Sequence, residues 1–458
     1  MTYRCSSNLY ILSSSASVPT KGVFTNEELN LGFMGFGQMG SAIATRLRDA
    51  GYHVCVFDPD PVAQSLASSA GFELASSPAE AASETAVVFL CLPDARAVES
   101  VTIGGEGAAS WRTPPAFCVD LTSSLPAVTR RVGRVLAKRG VHLIDAPVSG
   151  GVAGAREGRL TVMAGGEPTI VDEMRHVLST FASAVIWAGP LGAGHAVKAF
   201  NNTLSAASLI GTAEATAAGL AAGMSLTQVI DAVNDSTARS QNSEVKYPRN
   251  ILTGTFDAGF RLGLLHKDVV GACLIAEECR FPVPVAALTR EILAGGVRQL
   301  GLAADFTRIY ETVVPDCGRG AIERAEIVAA DAEALNRALF GMLLLASVEI
   351  VGLAQDSGVD VEQTFSIFNL SSGRNECTRA LSSVSGEIRA LRANCSVETI
   401  LEALRWVTAR GRERRGPLPM AALAAELWAS IAREVGPDAD AWRAMDHRNV
   451  REGENYAR

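Results

Sequence analysis

The sequence NLGFMGFGQMGSAIA occupies residues 30–44. Its glycines Gly35, Gly37 and Gly40 have the spacing G-x-G-x-x-G between a β-rich run and a helical pattern. In that setting the first glycine permits a tight turn, the second lets the backbone approach a pyrophosphate, and the third lets helix and strand pack closely. The free N–H groups of the following helix then face the phosphates. A dinucleotide-binding turn is therefore predicted at Gly35, Phe36, Gly37, Gln38, Met39 and Gly40.

The next β-rich run, residues 53–57, leads into Asp58, 18 residues beyond Gly40. An acid at this place hydrogen-bonds the ribose 2′-hydroxyl of NAD, and it would repel the 2′-phosphate of NADP. We therefore predict NAD rather than NADP as the cofactor. The alternative is that Asp58 only caps the loop.

Outward from this turn, β-rich runs alternate with helical patterns as far as residue 188. The runs at residues 86–92, 116–120 and 141–146 are almost wholly apolar, as is typical of parallel strands buried on both faces. This alternation predicts an α/β Rossmann domain, a doubly wound parallel sheet, over residues 29–191.

After Gly194 the strand patterns end and Ala/Leu-rich helical patterns take over. This region is duplicated, because a shift of 135 residues places 195–312 on 330–447 without a gap. In the densest window, 278–291 against 413–426, eight of fourteen positions are identical, including both prolines of a P-x-P pair. Chance identity is roughly one in fifteen, so the repeat is real. We predict two tandem all-α domains, 192–316 and 317–450, the second a degenerate copy.

Composition excludes several classes of protein. The chain has 458 residues, 48% of them hydrophobic, and a net charge of −8. It can bury sizeable cores but has no basic excess for nucleic acid, and the apolar run 339–348 is too short to span a bilayer. We therefore predict no nucleic-acid and no membrane partner. Six histidines without metal-ligand spacing predict no metal site.

Nine cysteines without a C-x-x-C pair indicate reduced thiols and favour a cytoplasmic protein. Residues 1–28 are Ser-rich and lack a clear hydrophobic core followed by a cleavage site. We interpret them as a loosely ordered N-terminal extension. A weak mitochondrial transit peptide is the alternative.

The first long helix of the all-α region carries Lys198 and Asn202, which project from one face because they are four residues apart. An ammonium beside an amide on an apolar helix suits an oxyanion or a hydroxyl. The second repeat keeps scaffold residues but has other side chains in place of these polar groups. This is the difference expected between an active copy and a purely structural copy. Lys198, Asn202, Lys267 and Asp268 fall on Glu333, Arg337, Glu402 and Ala403.

Two further features could carry chemistry. The sequence DAPVSGG, residues 145–151, ends a strand with consecutive glycines whose N–H groups suit a carboxylate; the alternative is a flexible surface loop. His195 opens the long helix. It could shuttle protons, or it could only line the start of the helix.

These motifs resemble the β-hydroxyacid dehydrogenases, the family of 3-hydroxyisobutyrate dehydrogenase and, more remotely, 6-phosphogluconate dehydrogenase. The resemblance covers about residues 31–310. Four ordered segments carry it: GFMGFGQMGSAIA at 32–44, DAPVSGGVAGAREGRLTVMAGG at 145–166, GAGHAVKAFNN at 192–202 and LLHKD at 264–268.

The resemblance implies a role for each matching residue. Lys198 matches the catalytic lysine. Substrate contacts are implied for Thr122, Ser149, Gly150, Gly151 and Asn202. Contacts with the cofactor, in addition to those of the glycine turn and Asp58, are implied for Leu92, Pro93, Ser123 and Lys267. Thr122-Ser123 stands where the family usually has Ser-Thr, so both hydroxyls are kept in swapped order.

The implied reaction is hydride transfer between NAD and a small 3-hydroxy acid, of the 3-hydroxyisobutyrate, glycerate/tartronate semialdehyde or threonate type. Two alternatives stay open, namely a reductase of another carbonyl or imine on this fold and a non-catalytic nucleotide-binding module. Ala238 replaces a glycine common in the family, whereas Gly373 of the second repeat keeps it. Because short members pair through their helical domains, we expect the two repeats to form an intramolecular pseudo-dimer; a homodimer on other surfaces is a further expectation.

Overall fold

The computed structural model describes residues 29–105, 107, 111–314, 329–382, 395–413 and 416–445. The expected extension 1–28 and parts of the expected domain 317–450 lie outside these residues. Within them, nine strands form one sheet in the order β3-β2-β1-β4-β5-β6-β8-β7, with β9 beside β8. The strands are β1 Asn30–Met34, β2 His53–Phe57, β3 Glu73–Leu74, β4 Val87–Leu90, β5 Phe117–Asp120, β6 His142–Asp145, β7 Val148–Ser149, β8 Leu160–Gly165 and β9 Ala182–Gly189.

Strands β1 to β6 run parallel, whereas β8 pairs antiparallel with β6 and β7 and parallel with β9. Successive side chains point to opposite faces of a strand, so Phe33 enters one core and Met34 the other. Seven helices cover the sheet, which confirms the predicted doubly wound Rossmann architecture. They are α1 Gln38–Asp49, α2 Pro61–Ser69, α3 Pro78–Ala81, α4 Ala95–Ile103, α5 Pro126–Ala137, α6 Gly151–Arg156 and α7 Pro168–Leu178.

The helical region begins with α8 at Ala193, directly after Gly192. Its hydrophobic core, which is separate from the two cores beside the sheet, includes residues of both repeats. Ten helices are described here, with a π-helix at Asn242–Ile251 and a 3₁₀ turn at Phe306–Arg308. They are α8 Ala193–Ala221, α9 Leu226–Asn234, α10 Leu262–Cys279, α11 Pro284–Leu300, α12 Ile309–Val313, α13 Ala329–Asp356, α14 Val361–Leu370, α15 Glu376–Ser382, α16 Val397–Glu413 and α17 Pro419–Val435.

The helix bounds reproduce the internal repeat. Shifted by 135 residues, α8, α9, α10 and α11 coincide with α13, α14, α16 and α17 to within one residue at each end. Helices α11 and α17 both begin at the second proline of their P-x-P pair, Pro284 and Pro419. Proline suits the first helical position because its missing N–H would have no partner there.

The two repeats exchange contacts in pairs. Glu214 of α8 accepts hydrogen bonds from the N–H groups of Met420 and Ala421 at the start of α17, both at 2.8 Å. Glu349 of α13 accepts from the equivalent groups of Val285 and Ala286, at 2.9 and 2.8 Å. Each repeat therefore caps a helix of the other.

Helix α13 is longer than its apolar run suggested. By length and composition, Ala329–Asp356 could cross a membrane, but 78% of its most apolar window is buried inside the protein. It packs against α8 and α16. Its apolar composition is explained by this burial, as for the core helix of a globular domain.

Candidate active site

The glycine turn has the geometry that its spacing predicts. Gly35 has a φ of +99°, and a Cβ there would lie 2.3 Å from the carbonyl oxygen of Cys91. A Cβ on Gly40 would lie 2.0 Å from the carbonyl oxygen of Gly35, so α1 packs directly on the turn. A Cβ on Gly37 would meet nothing within 4 Å, and no side chain caps the start of α1 there. The turn thus leaves open space and free N–H groups where a pyrophosphate would bind.

Asp58 follows β2 and faces this turn. Its Oδ2 accepts the N–H of Phe36 at 2.6 Å, and its Oδ1 accepts the N–H of Asp60 at 2.9 Å. The carboxylate is only half-buried, so each oxygen keeps a lone pair for a hydroxyl group. Loop capping therefore occurs and is compatible with ribose binding.

Contacts lead from the turn toward the helical region. The Leu92 side chain packs at Gly35, and the Leu92 N–H donates to the hydroxyl of Thr122 at 3.1 Å. The neighbouring Ser123 offers its carbonyl oxygen to Lys267 Nζ of α10 at 2.5 Å. Lys267 thereby joins the two parts of the protein beside the predicted cofactor loop.

A cavity of about 440 Å³ opens at this junction, and we call it the Lys198 cavity. Of the residues singled out from the sequence, Ser123, His195, Lys198 and Lys267 line it, together with Asp268. Sequence reasoning missed the rest of the wall, which comes from α4, α5 and α10: Asp94, Ala95, Arg96, Glu99, Ser124, Leu125, Val128, Val270, Gly271 and Leu274, with Ala199 of α8.

Lys198 is the most perturbed cation of the cavity. It is 9% exposed, and its Nζ donates no hydrogen bond to any described residue. Burial lowers the pKa of Lys198 to about 8; Asp268 opposes this shift and Lys267 adds to it. An amine with such a pKa can give up and regain a proton near neutrality.

Asn202 is 3% exposed and contacts the cavity through Asp268, which lines it. Its Nδ2 donates to Asp268 Oδ2 at 2.6 Å, while Asp268 Oδ1 lies 3.6 Å from Lys267 Nζ. Asp268 therefore bonds Asn202, while its charge acts on Lys198 and raises the pKa of that lysine. The repeat comparison had singled out Asp268 without giving it a role.

The predicted carboxylate loop does not line the Lys198 cavity. Ser149 is buried and pairs with Thr161 in the hairpin of β7 and β8, and Gly150 and Gly151 follow with positive φ. Pro93 is exposed at the end of the β4 loop. The structure thus connects the cofactor turn, Leu92, Thr122, Ser123 and Lys267, but gives Ser149 to Gly151 no contact with the lysine.

Two buried aspartates were not predicted to act. Asp145, the last residue of β6, accepts the N–H groups of Gly192 and His195 at 2.7 and 2.8 Å and so caps α8. Asp120, the last residue of β5, lies 3.9 Å from His195 Nε2, and burial raises the pKa of Asp120. The feature of the sequence that could have indicated both residues was an acidic side chain at the carboxyl end of a buried strand.

His195 is buried, lines the Lys198 cavity and places its Nδ1 2.7 Å from the Thr129 hydroxyl. Its Nε2 is buried without a hydrogen-bond partner. His195 therefore lines the start of the helix; a proton-shuttle role stays a prediction. Among the described residues, no three His, Cys, Asp or Glu side chains are placed to hold a metal ion.

Family models match both parts of the chain. The NAD binding domain of 6-phosphogluconate dehydrogenase matches residues 30–189. The model described as NAD-binding of NADP-dependent 3-hydroxyisobutyrate dehydrogenase matches twice, at residues 192–313 and 329–447. The second model thus covers both helical repeats and more than half of the chain.

Known proteins agree with this assignment. The 2-(hydroxymethyl)glutarate dehydrogenase of Eubacterium barkeri is 32% identical over 61% of this chain and 92% of its own length. An NAD-dependent L-serine dehydrogenase of Pseudomonas aeruginosa is 30% identical over 63% of this chain and 99% of its own.

A solved structure extends the likeness to both repeats. The 6-phosphogluconate dehydrogenase of Plasmodium falciparum has a TM-score of 0.65 and covers 88% of this chain and 92% of its own, at 14% identity, which establishes a shared fold. The chain therefore belongs to the 3-hydroxyisobutyrate dehydrogenase-like family of NAD-binding dehydrogenases, which act on the CH–OH group of hydroxy acids.

Proposed function

We propose that this protein transfers a hydride between NAD and a small 3-hydroxy acid, with Lys198 as the acid/base. One observation carries the proposal. Lys198 is buried in the Lys198 cavity and makes no hydrogen bond with a described residue; its pKa is lowered to about 8, and Lys267 and Ser123 line the same cavity. NAD supplies the hydride chemistry when bound, and the protein supplies position and proton transfer.

In the oxidising direction, the neutral amine of Lys198 takes the proton of the substrate hydroxyl as its carbon loses a hydride. In the reducing direction, the ammonium returns that proton to the carbonyl oxygen. Lys267 holds the Ser123 loop in place through its 2.5 Å bond to the Ser123 carbonyl oxygen. The amide of Asn202 orients the substrate oxygen.

The substrate class follows from shared chemistry. Serine, 3-hydroxyisobutyrate and 2-(hydroxymethyl)glutarate all carry a hydroxymethyl group on the carbon next to a carboxylate. We assign the carboxylate to Ser149, Gly150, Gly151 and Thr122. Substrates of the glycerate/tartronate semialdehyde and threonate types have the same 3-hydroxy acid arrangement.

The decisive test is the change in nicotinamide absorbance of the full-length protein, with NAD and NADP in parallel. The panel contains 3-hydroxyisobutyrate, L-serine, 2-(hydroxymethyl)glutarate, glycerate, threonate and 6-phosphogluconate. We expect turnover of one small 3-hydroxy acid and none of 6-phosphogluconate. Binding of NAD with no turnover of any acid would refute the proposal and favour a nucleotide-binding module.

NAD is proposed over NADP because the carboxylate of Asp58 faces the loop at which the adenosine ribose binds. Asp58→Asn keeps an oxygen for the Phe36 N–H but removes the negative charge. We expect the preference for NAD, measured as the ratio of kcat/KM values, to fall about tenfold or more. An unchanged ratio would contradict this role of Asp58.

We also propose that the second repeat packs on the first as an intramolecular pseudo-dimer. The reciprocal caps of Glu214 and Glu349 support it, as does an isolated bridge between Ser240 and Asn375, which are equivalent residues. A residue that pairs with its own equivalent lies on a two-fold axis. Deleting 318–458 should therefore cost solubility or activity, and a fully active, soluble truncation would refute the pseudo-dimer.

We further propose that the chain is divided into an extension at 1–28, a cofactor domain at 29–191 and helical domains at 192–316 and 317–450.

We also propose a cytoplasmic protein. The seven described cysteines support this location, because none of them forms a disulfide with another described cysteine.

A further inference from the structure

We infer that the second helical repeat positions Asn202 for substrate, through a hydrogen-bond chain that begins at Gly373 and passes through Asn201. The inference rests on the proposed function, because it takes Asn202 to be a substrate contact. It assigns a positioning role to residues of the degenerate repeat, which lie outside the Lys198 cavity.

Three hydrogen bonds make up the chain. The Gly373 N–H donates to Asn201 Oδ1 at 2.9 Å, and Asn201 Nδ2 donates to Asn202 Oδ1 at 3.2 Å. Asn202 Nδ2 then donates to Asp268 Oδ2 at 2.6 Å. The second N–H of the Asn201 amide goes to Ser372 Oγ at 2.9 Å. Asn201 is fully buried, so water cannot replace these partners.

The groups at the two ends of this hydrogen-bond chain determine which atom donates and which accepts at each step. A backbone N–H, here that of Gly373, can only donate, and an ionised carboxylate, here that of Asp268, can only accept. Neither amide can therefore turn over without losing a bond at each side. One N–H of Asn202 Nδ2 remains outside the chain, so the second repeat makes Asn202 a donor toward a substrate oxygen.

Only glycine fits at the start of the chain. A Cβ on Gly373 would lie 2.8 Å from Asn201 Oδ1 and 2.9 Å from the Asn201 carbonyl oxygen. Both distances are too short for a methyl group. The close approach of this loop to α8 therefore depends on the missing side chain.

The equivalent hydrogen bond, from Ala238 to Asn336, is absent among the described residues. The bond from Gly373 to Asn201 is therefore not required by the packing that the two repeats share. There Ala238 stands in place of Gly373, and its N–H donates to Ser236 Oγ at 3.0 Å. Asn336, the equivalent of Asn201, has a buried Oδ1 that accepts no hydrogen bond from any described residue. The chain thus exists only where it leads to Asn202 and Asp268, which the second repeat replaces by Arg337 and Ala403.

The test is Asn201→Leu, which removes the amide at nearly constant volume, with Asn336→Leu as the matched control in the other repeat. In the full-length protein we expect Asn201→Leu to lower kcat/KM for the hydroxy acid by about 10- to 100-fold. We expect its KM for NAD to stay within about twofold, and Asn336→Leu to match the wild type. An equal loss in both variants, or in neither, would overturn the inference.

Gly373→Ala serves if Asn201→Leu does not fold. It keeps every polar group and adds one methyl group against Asn201, and Ala238→Gly is its control. We expect a rise in KM for the hydroxy acid with the KM for NAD unchanged, and no change in the control. Wild-type kinetics for Gly373→Ala would refute the positioning role.

A binding measurement separates this inference from the proposed function. If the wild type turns over no acid of the panel, the proposed function fails. Tartronate, a small hydroxydicarboxylate, is then titrated into the NADH complex and followed by NADH fluorescence. Binding at least tenfold weaker in Asn201→Leu than in wild type and Asn336→Leu supports the inference. Equal affinity, or no binding to the wild type, overturns it.

Discussion

The first helical repeat carries Lys198 where the second carries Glu333, on helices whose bounds agree to within one residue. Lys198 is buried in a cavity beside the Rossmann domain, and its pKa is lowered to about 8. Glu333 is exposed and pairs on the surface with Arg337, four residues along the helix. Such a surface pair adds little to stability.

A repeat can therefore lose its polar cavity residues and still keep its fold. Both repeats keep what holds them together, namely the P-x-P helix start and the capping glutamates Glu214 and Glu349. Polar groups at the cavity survive only in the repeat that faces Ser123 and the cofactor turn. The second repeat retains contacts that lead toward the cavity, those of Ser372 and Gly373 with Asn201.

The largest effect is expected at the lysine itself. Lys198→Met keeps the volume of the side chain and removes the proton carrier, so we expect kcat for the hydroxy acid to fall about 10³-fold. Glu333→Met at the equivalent position should leave kcat unchanged. NADH affinity, measured by NADH fluorescence, should be unchanged in both, and full turnover in Lys198→Met would contradict the assigned role.

The reciprocal caps test the shared scaffold. Glu214→Ala strands two buried N–H groups at the start of α17, so we expect it to cost about 2–3 kcal/mol of unfolding free energy. Glu349→Ala should cost less, because Glu349 is only half-buried and water can replace it. Chemical denaturation measures both. A loss in one variant and none in the other would break the symmetry of the interface.

Glu214 adds a pH dependence to this interface. Burial raises the pKa of Glu214 from 4.5 to about 7. The folded state therefore binds the proton more tightly than the unfolded state, and the stabilisation is complete below about pH 4.5 and is lost as the pH rises to about 7. In Glu214→Gln this change between pH 4.5 and 7 should be absent. Its persistence would point to another group.

Sequence patterns predicted the architecture well because local rules govern it. The strands 30–34 and 53–57 have the bounds expected from their β-rich runs, and both P-x-P helices begin where proline is best tolerated. The apolar runs overshot β4, β5 and β6 by a residue or two at their ends, because apolar residues continue into the loops beside these strands.

The site was less predictable, because its geometry depends on contacts between distant segments. The cap that Asp145 provides for Gly192 spans 47 residues, and the contact of Gly373 with Asn201 spans 172. The sequence showed that Ala238 replaces a glycine and that Gly373 keeps one. It could not show that the retained glycine touches the helix of the opposite repeat.

The charges around Lys198 belong to the first repeat alone, and their effect on the pKa of Lys198 can be tested by the pH dependence of activity. Oxidation should rise as Lys198 loses its proton, through about pH 8. Lys267→Met removes a charge that lowers the pKa of Lys198, so the acid limb of its profile should move to higher pH. Asp268→Asn removes a charge that raises the pKa of Lys198, so the acid limb of its profile should move to lower pH. Profiles of kcat/KM against pH measure both. Shifts of the same sign would contradict Lys198 as the titrating base.

The smallest expected effect is on the stability of the degenerate side. Asn336→Leu removes a buried oxygen that has no partner, so we expect its unfolding free energy to change by less than about 1 kcal/mol or to rise. Asn201→Leu should cost about 2 kcal/mol, since it leaves the Gly373 N–H and Asn202 Oδ1 without their bonds. Denaturant unfolding of both variants measures the difference. Equal costs would mean that Asn336 stabilises its own repeat as Asn201 does. The loops at Ala238 and Gly373 would then differ in packing alone.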